Sequence, residues 1–221
     1  DLEDKKTFDL LSSGKTLGVF QLEGDGMTRY IKQLKPTSIN DVSAMIALYR
    51  PGPMEQIPKF IEGKHGKIPN YIHKILEQNL QETYGVIVYQ DQVLYIFREM
   101  AGYSLGEADI VRKSMGKKIS EIMIAEKNKF ISRCISNGYE ENLASEVFNL
   151  IEPFAGYAFN KAHSVSYALI SYITAYLKAN FLEEFLTSSM NLRMQDSEAI
   201  NKFVQEAKLN DIVVSPPDIN T

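Results

Sequence analysis

The spacing of apolar residues predicts α-helices over most of this chain. Apolar side chains recur at positions i, i+3, i+4 and i+7 in several separate segments, and this period places them on one face of a helix. The stripes comprise Val42, Met45, Ile46 and Tyr49, then Val93, Ile96, Phe97 and Met100, and then Ile200, Phe203, Val204 and Ala207. Each stripe predicts one helix with a buried face, and together they favour an all-α fold.

Capping and stop signals predict the ends of three further helices. Ser104 and Glu107 have the spacing of a capping box, so we expect a helix that begins there and ends near Gly116. The next helix is expected to end at the Asn-Gly pair of residues 137–138. A third helix is expected to be interrupted by Pro153, because proline removes a backbone donor.

Two segments depart from the amphipathic pattern. Residues 164–180 are long enough for a helix and are apolar or small on nearly every side, as in a central helix. Residues 85–89, GVIVY, have the composition of a strand, although so short a run is also compatible with buried helix. The predicted fold class is therefore all-α and mainly helical, with room for one short strand or hairpin near residues 85–89.

The composition is that of an ordinary globular protein. The chain has 221 residues, of which 44% are hydrophobic and 24% charged, enough for a sizeable core. The single cysteine, Cys134, excludes an internal disulfide framework and a cysteine-based zinc cluster, and the three histidines lack metal-ligand spacing. We expect a reduced, cytoplasmic setting and no membrane partner, because no apolar run approaches the length of a membrane span.

The formal net charge of −4 hides a strong asymmetry. Residues 181–221 hold three cations and seven acids and account for the whole net charge, so residues 1–180 balance with 21 of each. Within that neutral part, residues 98–118 carry five cations against three acids, and residues 153–178 carry two lysines and no acid. Such locally positive segments attract phosphate groups even when the whole protein is acidic.

The first positive segment, ADIVRKSMGKK, has two interpretations. In one, Arg112 and Lys113 complement the negative end of the helix dipole, and Lys117 and Lys118 are solvated just beyond it. In the other, the four cations form a clamp for phosphate, in which each charge-assisted hydrogen bond contributes about 1.5 to 3 kcal/mol. Composition alone leaves both interpretations open.

The second positive segment, FAGYAFNKAHSVSYALISY, combines cations with aromatic rings. Lys161 and His163 lie in a glycine-containing loop that opens onto a helix, among the rings of Phe154, Tyr157, Phe159 and Tyr167. A helix N-terminus and cations suit phosphate, and rings suit base stacking. Taken singly, such rings are more often core residues and such a histidine more often a cap. Their adjacency points to a nucleotide.

Five motifs in this chain form a familiar succession. They are GVFQLEGDGM at 18–27, DVSAMIALYRPGPME at 41–55, ETYGVIVYQDQV at 82–93, GYSLGEADIVRKSMGKK at 102–118 and FAGYAFNKAHSVSYALISYITAYLKANF at 154–181. Together they resemble the fingers region of the alpha subunit of bacterial DNA polymerase III, a C-family replicative DNA polymerase. The resemblance covers essentially the whole chain, and five motifs in one order make it highly specific.

The resemblance implies a multi-helix fingers domain over residues 1–205, with residues 1–60 closest to the palm, and an exit segment at residues 206–221. It also implies part of a DNA-directed DNA polymerase whose Mg²⁺ ions are held by palm aspartates in an Asp-x-Asp pattern and a third aspartate, upstream of this region. No acid of the chain lies in such a pattern. We therefore expect no metal ligand here and no polymerase activity from the chain alone.

The resemblance also implies partners and a binding role. The expected partners are the incoming deoxynucleoside triphosphate (dNTP), primer-template DNA and, through a full-length chain, other subunits of the polymerase III holoenzyme. Fingers close over the nucleotide so that chemistry proceeds only when the new base pair fits. The expected phosphate contacts are Arg112, Lys113, Lys117 and Lys118, with Lys161 and His163 facing the same nucleotide from the other side.

Three further residues are weaker candidates. Arg50 stands where a helix ends against the rigid RPGP turn, so it is either a phosphate contact or a partner of the helix dipole. Gln90 and Gln92 are candidates for contacts to sugar or base edges. A buried glutamine that stabilises its own loop is an equally good interpretation of either residue.

The chain departs from the family pattern at three positions. Relatives usually have two arginines and an alanine where this chain has Arg112, Lys113 and Ser114, and a lysine keeps the charge but lacks the planar fork that grips phosphate in two places. Ala162 stands where many relatives have serine, so no hydroxyl contact is expected there. Gly24 likewise replaces a common serine.

A function of another class stays open at this point. The chain is also compatible with a non-catalytic helical module whose basic segments dock on nucleic-acid backbone or on a protein partner. Backbone docking weakens steeply with salt, by roughly 0.9 log unit per log unit of salt for each duplex phosphate neutralised. Dependence on salt and on a triphosphate therefore distinguishes the two functions.

Overall fold

A computed structural model describes residues 2–116 and 120–216 of the chain. Within these ranges the backbone forms twelve α-helices, two short 3-10 helices and no β-strand, which confirms the all-α class. The helices are α1 Lys5–Ser13, α2 Asp25–Leu34, α3 Ile39–Leu48, α4 Ile57–Lys64, α5 Lys74–Leu80, α6 Gln90–Ala101, α7 Leu105–Gly116, α8 Ser120–Ser136, α9 Glu141–Ala155, α10 Lys161–Asn180, α11 Leu182–Leu192 and α12 Ser197–Leu209.

The three amphipathic stripes are confirmed as helices α3, α6 and α12. The stripe of α6 is fully buried, with Val93, Ile96, Phe97 and Met100 all 0% exposed. The capping box at the start of α7 is also confirmed. The backbone N–H of Glu107 donates to Ser104 Oγ at 3.2 Å, and the N–H of Ser104 donates to a carboxylate oxygen of Glu107 at 2.9 Å.

Two local predictions need correction. Pro153 does not interrupt its helix, since α9 continues to Ala155. The proline lies in the last turn of α9. The hydrogen bond that it removes is therefore close to the end of the helix, and its loss does not end the helix earlier. Residues 85–89 form neither a strand nor a hairpin. Tyr89 instead makes an isolated parallel bridge with Phe159, a residue far away in sequence.

The chain divides into two compact units, one of residues 1–42 and 168–221 and one of residues 43–167. Both boundaries fall inside helices, α3 and α10. The predicted separation of residues 1–205 from 206–221 stays a prediction.

The first unit is held by helix pairs and by contacts of the second half of α10. Helix α1 packs on α2, and α11 packs on α12. The backbone N–H of Asp4 donates to the hydroxyl of Tyr172 at 2.9 Å, and that of Phe20 donates to Thr174 Oγ1 at 3.1 Å. These bonds attach both flanks of α1 to α10, because their acceptors lie on one helix.

The second unit has a core of aromatic rings surrounded by helices α5 to α9. Phe97 meets Phe130 edge-on with ring centroids 5.1 Å apart, and Phe130 meets Phe148 at 5.6 Å. Each ring comes from a different helix, α6, α8 or α9. The edge-to-face pair of Phe97 and Phe130 adds stability beyond the area it buries, so this core fixes the scaffold that carries both positive segments.

Helix α10 is confirmed but differs from the expected central helix. It is a 20-residue helix, and Leu169, Ile170, Ile173 and Leu177 are exposed on it. In the described parts of the chain, no helix has both the length and the apolar character that crossing a membrane requires.

Candidate functional site

Arg50 fastens the RPGP turn to the loop before α10. Its Nε donates to the backbone carbonyl of Ala47 at 2.9 Å, and its Nη2 donates to the carbonyl of Tyr157. Its guanidinium carbon lies 4.6 Å from the centroid of the Phe159 ring. These partners are neutral, and burial lowers the pKa of the guanidinium. None of these three partners is a carboxylate. The positive charge of Arg50 can therefore interact with an anion.

Three rings continue from Arg50 along the start of α10, and we call them the aromatic row: Phe159, His163 and Tyr167. The ring of His163 lies 5.6 Å from that of Phe159 and 4.2 Å from that of Tyr167. The backbone N–H of His163 donates to Asn160 Oδ1 at 2.9 Å, in the manner of a helix N-cap. His163 is exposed, so the row presents a ring to solvent at a helix N-terminus.

Lys161 is paired with a carboxylate in this conformation. Its ammonium lies 2.7 Å from Glu82 Oε2 and 5.4 Å from the centroid of the Tyr89 ring. Tyr89 is fixed beneath α10, because its hydroxyl lies 3.1 Å from Ser43 Oγ, which in turn donates to Ser164 Oγ at 2.9 Å. Lys161 therefore starts α10 beside the aromatic row, with its charge partly neutralised.

Arg112 and Lys113 share one carboxylate on α7. Asp109 Oδ1 accepts from Arg112 Nη2 at 2.9 Å, and Asp109 Oδ2 lies 2.6 Å from Lys113 Nζ. The hydrogen bonds from Lys113 and then Arg112 lower the pKa of Asp109. The Arg112 side chain is only 12% exposed, whereas that of Lys113 is 65% exposed. Lys117 and Lys118, the other two predicted cations, lie outside the described residues.

The N-terminus of α7 is fixed by a network of charges. Glu107 Oε1 lies 3.2 Å from Arg133 Nη2, and the guanidinium of Arg133 lies 4.2 Å from the Tyr103 ring centroid. The backbone N–H of Ser104 and, after it, Arg133 lower the pKa of Glu107 to about 2. Burial raises the pKa of Tyr103 to about 12. This network orients the helix that carries Arg112.

A cavity of about 560 Å³ separates the end of α7 from the loop before α10. Met115, one turn after Arg112, lines it together with Tyr157, whose carbonyl accepts from Arg50. Among the described residues, Met123, Ile124, Glu152, Pro153 and Gly156 also line it. The two positive segments thus border the same cavity through Met115 and Tyr157.

The structure brings some of the predicted site residues together and separates others. Arg50 and His163 are joined by the aromatic row, and Lys161 is attached to it through the Tyr89–Phe159 bridge. Arg112 and Lys113 are not joined to this group by any of these contacts: both pair with Asp109, and of their helix Met115 lines the cavity.

The two predicted glutamines have different environments. Gln92 is 6% exposed, and its Oε1 accepts from the backbone N–H groups of Val88 at 2.9 Å and Tyr89 at 3.0 Å. Its Nε2 donates to Thr83 Oγ1 at 2.8 Å. This geometry favours the loop-stabilising interpretation of Gln92. Gln90 is half-buried and its backbone N–H donates to the carbonyl of Phe159 at 2.9 Å, so it holds the bridge beneath the aromatic row.

Sequence reasoning missed the two carboxylates that pair with the cations. Asp109 stands three and four positions before Arg112 and Lys113, a spacing at which helical side chains meet, so this pairing had a signal in the sequence. Glu82 is 79 positions from Lys161, and only the folded chain shows that pair.

The described residues do not fit a Mg²⁺ site. Among residues 2–116 and 120–216, no group of three or more histidine, cysteine, aspartate or glutamate side chains is arranged to hold a metal ion. A magnesium ion in proteins takes carboxylate and phosphate oxygens. The positive groups near the aromatic row suit the phosphate oxygens and not the metal.

The chain is similar to known proteins over nearly its whole length. The family described as bacterial DNA polymerase III alpha subunit finger domain matches residues 1–138. DNA polymerase III subunit alpha of Rickettsia prowazekii (strain Madrid E) is 49% identical over 219 residues, 99% of this chain and 18% of that protein. The corresponding proteins of Chlamydia trachomatis serovar D and Thermus aquaticus are 48% and 44% identical over 220 and 225 residues, again 99% of this chain and 18% of each protein.

Proposed function

Since the chain belongs to the bacterial DNA polymerase III alpha subunit finger domain family, we propose that it binds the incoming dNTP and the primer-template within a DNA-directed DNA polymerase. The chain spans 18% of the length of the relatives named above. The activity, the cytoplasmic location and contacts with other holoenzyme subunits are therefore part of this proposal. The Mg²⁺ ions belong to residues outside this chain.

The observation that carries the proposal is the row formed by Arg50, Phe159, His163 and Tyr167 at the N-terminus of α10. The three contacts of the Arg50 guanidinium are neutral, which supports binding of an anion, and the exposed ring of His163 supports contact with a nucleobase or sugar. Helix N-termini add backbone N–H groups that favour phosphate. The rings and the helix N-terminus lie in the second positive segment, and Arg50 reaches them from the RPGP turn.

Each cation has a distinct task in this proposal. Arg50 and Lys161 approach the triphosphate from the loop and from α10, while Arg112 and Lys113 approach it from α7. Asp109 pairs with Arg112 and Lys113, and Glu82 pairs with Lys161. The phosphate oxygens replace these carboxylates when the nucleotide binds, so binding exchanges one set of ion pairs for another.

The proposal is tested by primer extension with a full-length polymerase that carries this chain. Arg112→Ala and Lys161→Ala should each raise the KM for dNTP about ten-fold or more, because each removes a charge-assisted hydrogen bond. The affinity for primer-template should change less. Arg98→Ala is the matched control, because Arg98 is half exposed on α6 and pairs with its neighbour Glu99. It should leave the KM for dNTP unchanged.

The rival docking function gives the opposite pattern. Loss of a cation that only contacts DNA backbone lowers the affinity for primer-template and reduces its salt dependence. The KM for dNTP then stays at the wild-type value. That result would overturn the proposed nucleotide contacts of Arg112 and Lys161.

A further inference from the structure

Three buried hydroxyl groups of the second unit form a continuous series of hydrogen bonds beneath the start of α10. The hydroxyl of Tyr89 lies 3.1 Å from Ser43 Oγ, and Ser43 Oγ donates to Ser164 Oγ at 2.9 Å. Ser164 Oγ in turn donates to the backbone carbonyl of Lys161 at 3.1 Å. All three side chains are buried. We call this series the hydroxyl chain.

Every bond in the hydroxyl chain has a determined direction. A hydroxyl group carries one proton and therefore donates one hydrogen bond. Because Ser43 gives its proton to Ser164, Ser43 Oγ must accept from the hydroxyl of Tyr89. Ser164 gives its own proton to the carbonyl of Lys161. Hydrogen bonds that point the same way polarise one another, so the loss of one weakens the others.

Both ends of the hydroxyl chain meet Lys161. At one end, the ring of Tyr89 has its centroid 5.4 Å from the Lys161 ammonium, a distance at which a ring attracts a cation. At the other end, the last acceptor is the backbone carbonyl of the same lysine. The hydroxyl chain thus acts on the side chain of Lys161 and on the first turn of α10.

The middle member of the hydroxyl chain comes from a distant helix. Ser43 lies in α3, and 121 positions separate it from Ser164. Backbone bonds on either side of Tyr89 set its distance from α10, because the N–H of Phe159 donates to the carbonyl of Val88 and the N–H of Gln90 donates to the carbonyl of Phe159, each at 2.9 Å. The bond to Ser43 then orients the Tyr89 ring under Lys161.

We propose that Ser43 is a positioning residue for nucleotide binding and that it acts through Lys161. This inference rests on the proposed function, in which Lys161 contacts the triphosphate. Glu82 also pairs with the ammonium, at 2.7 Å. When phosphate oxygens replace that carboxylate, the Tyr89 ring still orients the ammonium, because Glu82 is not a member of the hydroxyl chain. Loss of the Ser43 hydroxyl deprives a buried phenol of this acceptor, so the ring and the ammonium shift.

Primer extension by a full-length polymerase that carries this chain tests the proposal. Ser43→Ala removes the middle hydroxyl, and Tyr89→Phe removes the first donor but keeps the ring. Each should raise the KM for dNTP about three- to ten-fold and leave the affinity for primer-template unchanged. Ser171→Ala is the matched control, because Ser171 is also a buried serine of α10. It should leave the KM unchanged. A wild-type KM in Ser43→Ala or in Tyr89→Phe would overturn the proposal.

The same substitution in a Lys161→Ala background separates positioning from general packing. If Ser43 acts through Lys161, adding Ser43→Ala should change the KM for dNTP by less than about two-fold once the lysine is absent. A further rise as large as that in the wild-type background would overturn the proposal.

The single variants also distinguish this inference from the proposed function on which it rests. If Lys161→Ala raises the KM for dNTP and Ser43→Ala does not, the positioning role of Ser43 fails alone. If Lys161→Ala leaves the KM at the wild-type value, the nucleotide contact of Lys161 and the positioning role of Ser43 both fail.

Discussion

The guanidinium of Arg50 lies 4.6 Å from the centre of the Phe159 ring, although 109 positions separate the two residues in the sequence. The same guanidinium donates to the carbonyl of Tyr157. One side chain thus determines where the RPGP turn meets the loop that precedes α10. The proposed nucleotide site depends on this junction, because the aromatic row begins at Phe159.

Replacing Arg50 should therefore loosen the second unit. Arg50→Met removes two hydrogen bonds to carbonyls and a cation–π contact, and we expect the free energy of unfolding to fall by about 2 kcal/mol. Urea unfolding of the chain measures this loss. Arg29→Met is the control, because Arg29 is exposed on α2 and lies 5.5 Å from the Tyr30 ring. A loss no larger than that of the control would show that Arg50 does not fasten the loop.

Gln92 and Gln90 should respond differently to the same substitution. Gln92→Leu leaves the N–H groups of Val88 and Tyr89 without their acceptor in a buried site, so we expect a loss of about 2 to 4 kcal/mol in the free energy of unfolding. Gln90→Leu changes a half-buried side chain and should stay within about 0.5 kcal/mol of the wild type. Thermal and urea unfolding of both variants give the comparison. Similar losses of unfolding free energy in the two variants would contradict the loop-stabilising role of Gln92.

Local patterns in the sequence predicted the helices well, because each such signal is carried by neighbouring residues. The capping box of Ser104 and Glu107 set the start of α7, and the stripe around Phe97 set the buried face of α6. The sequence did not predict the Tyr89–Phe159 bridge, since a run such as GVIVY carries no signal for a partner 70 positions away. Tertiary pairing decided its conformation.

The candidate site shows the same limit. The sequence identified Arg50, Lys161 and His163 as candidates, but the row that joins Arg50 to His163 through Phe159 is a tertiary arrangement. The pairing of Lys161 with Glu82 is equally long-range. The sequence predicts a central helix for residues 164–180, but Leu169, Ile170, Ile173 and Leu177 are exposed on α10. Apolar composition alone does not reveal which faces of a helix the rest of the chain covers.

Neutralising Asp109 should strengthen nucleotide binding. Asp109→Asn releases Arg112 and Lys113 from two helical ion pairs, each worth about 0.2 to 0.5 kcal/mol, so we expect the KM for dNTP of the full-length polymerase to fall about two- to five-fold. Steady-state primer extension measures it. Asp9→Asn is the control, because Asp9 forms an ion pair of the same spacing with Lys5 at 2.6 Å. An unchanged or higher KM in Asp109→Asn would contradict the exchange of carboxylate for phosphate.

Glu107 should make stability depend on acid pH. Its pKa falls from 4.5 to about 2 on folding, so the unfolded chain binds the proton more readily than the folded one. Its contribution to stability is complete above pH 4.5 and is lost as the pH falls toward 2. Glu107→Gln keeps a capping side chain without the charge. At neutral pH we expect the wild type to have a higher urea midpoint than this variant. The difference should shrink as the pH falls from 4.5 toward 2. A difference independent of pH would show that the carboxylate charge plays no part.

The central claim is that the two positive segments serve one nucleotide, and a double-mutant cycle between Arg112 and Lys161 tests it most directly. Single-turnover incorporation by the full-length polymerase is measured over a range of dNTP concentrations for Arg112→Ala, Lys161→Ala and the double variant. Residues that hold the same triphosphate are coupled, so we predict an interaction energy of about 0.5 to 3 kcal/mol in the apparent binding of dNTP. Losses that add within about 0.3 to 0.5 kcal/mol, as for independent sites, would contradict a shared nucleotide.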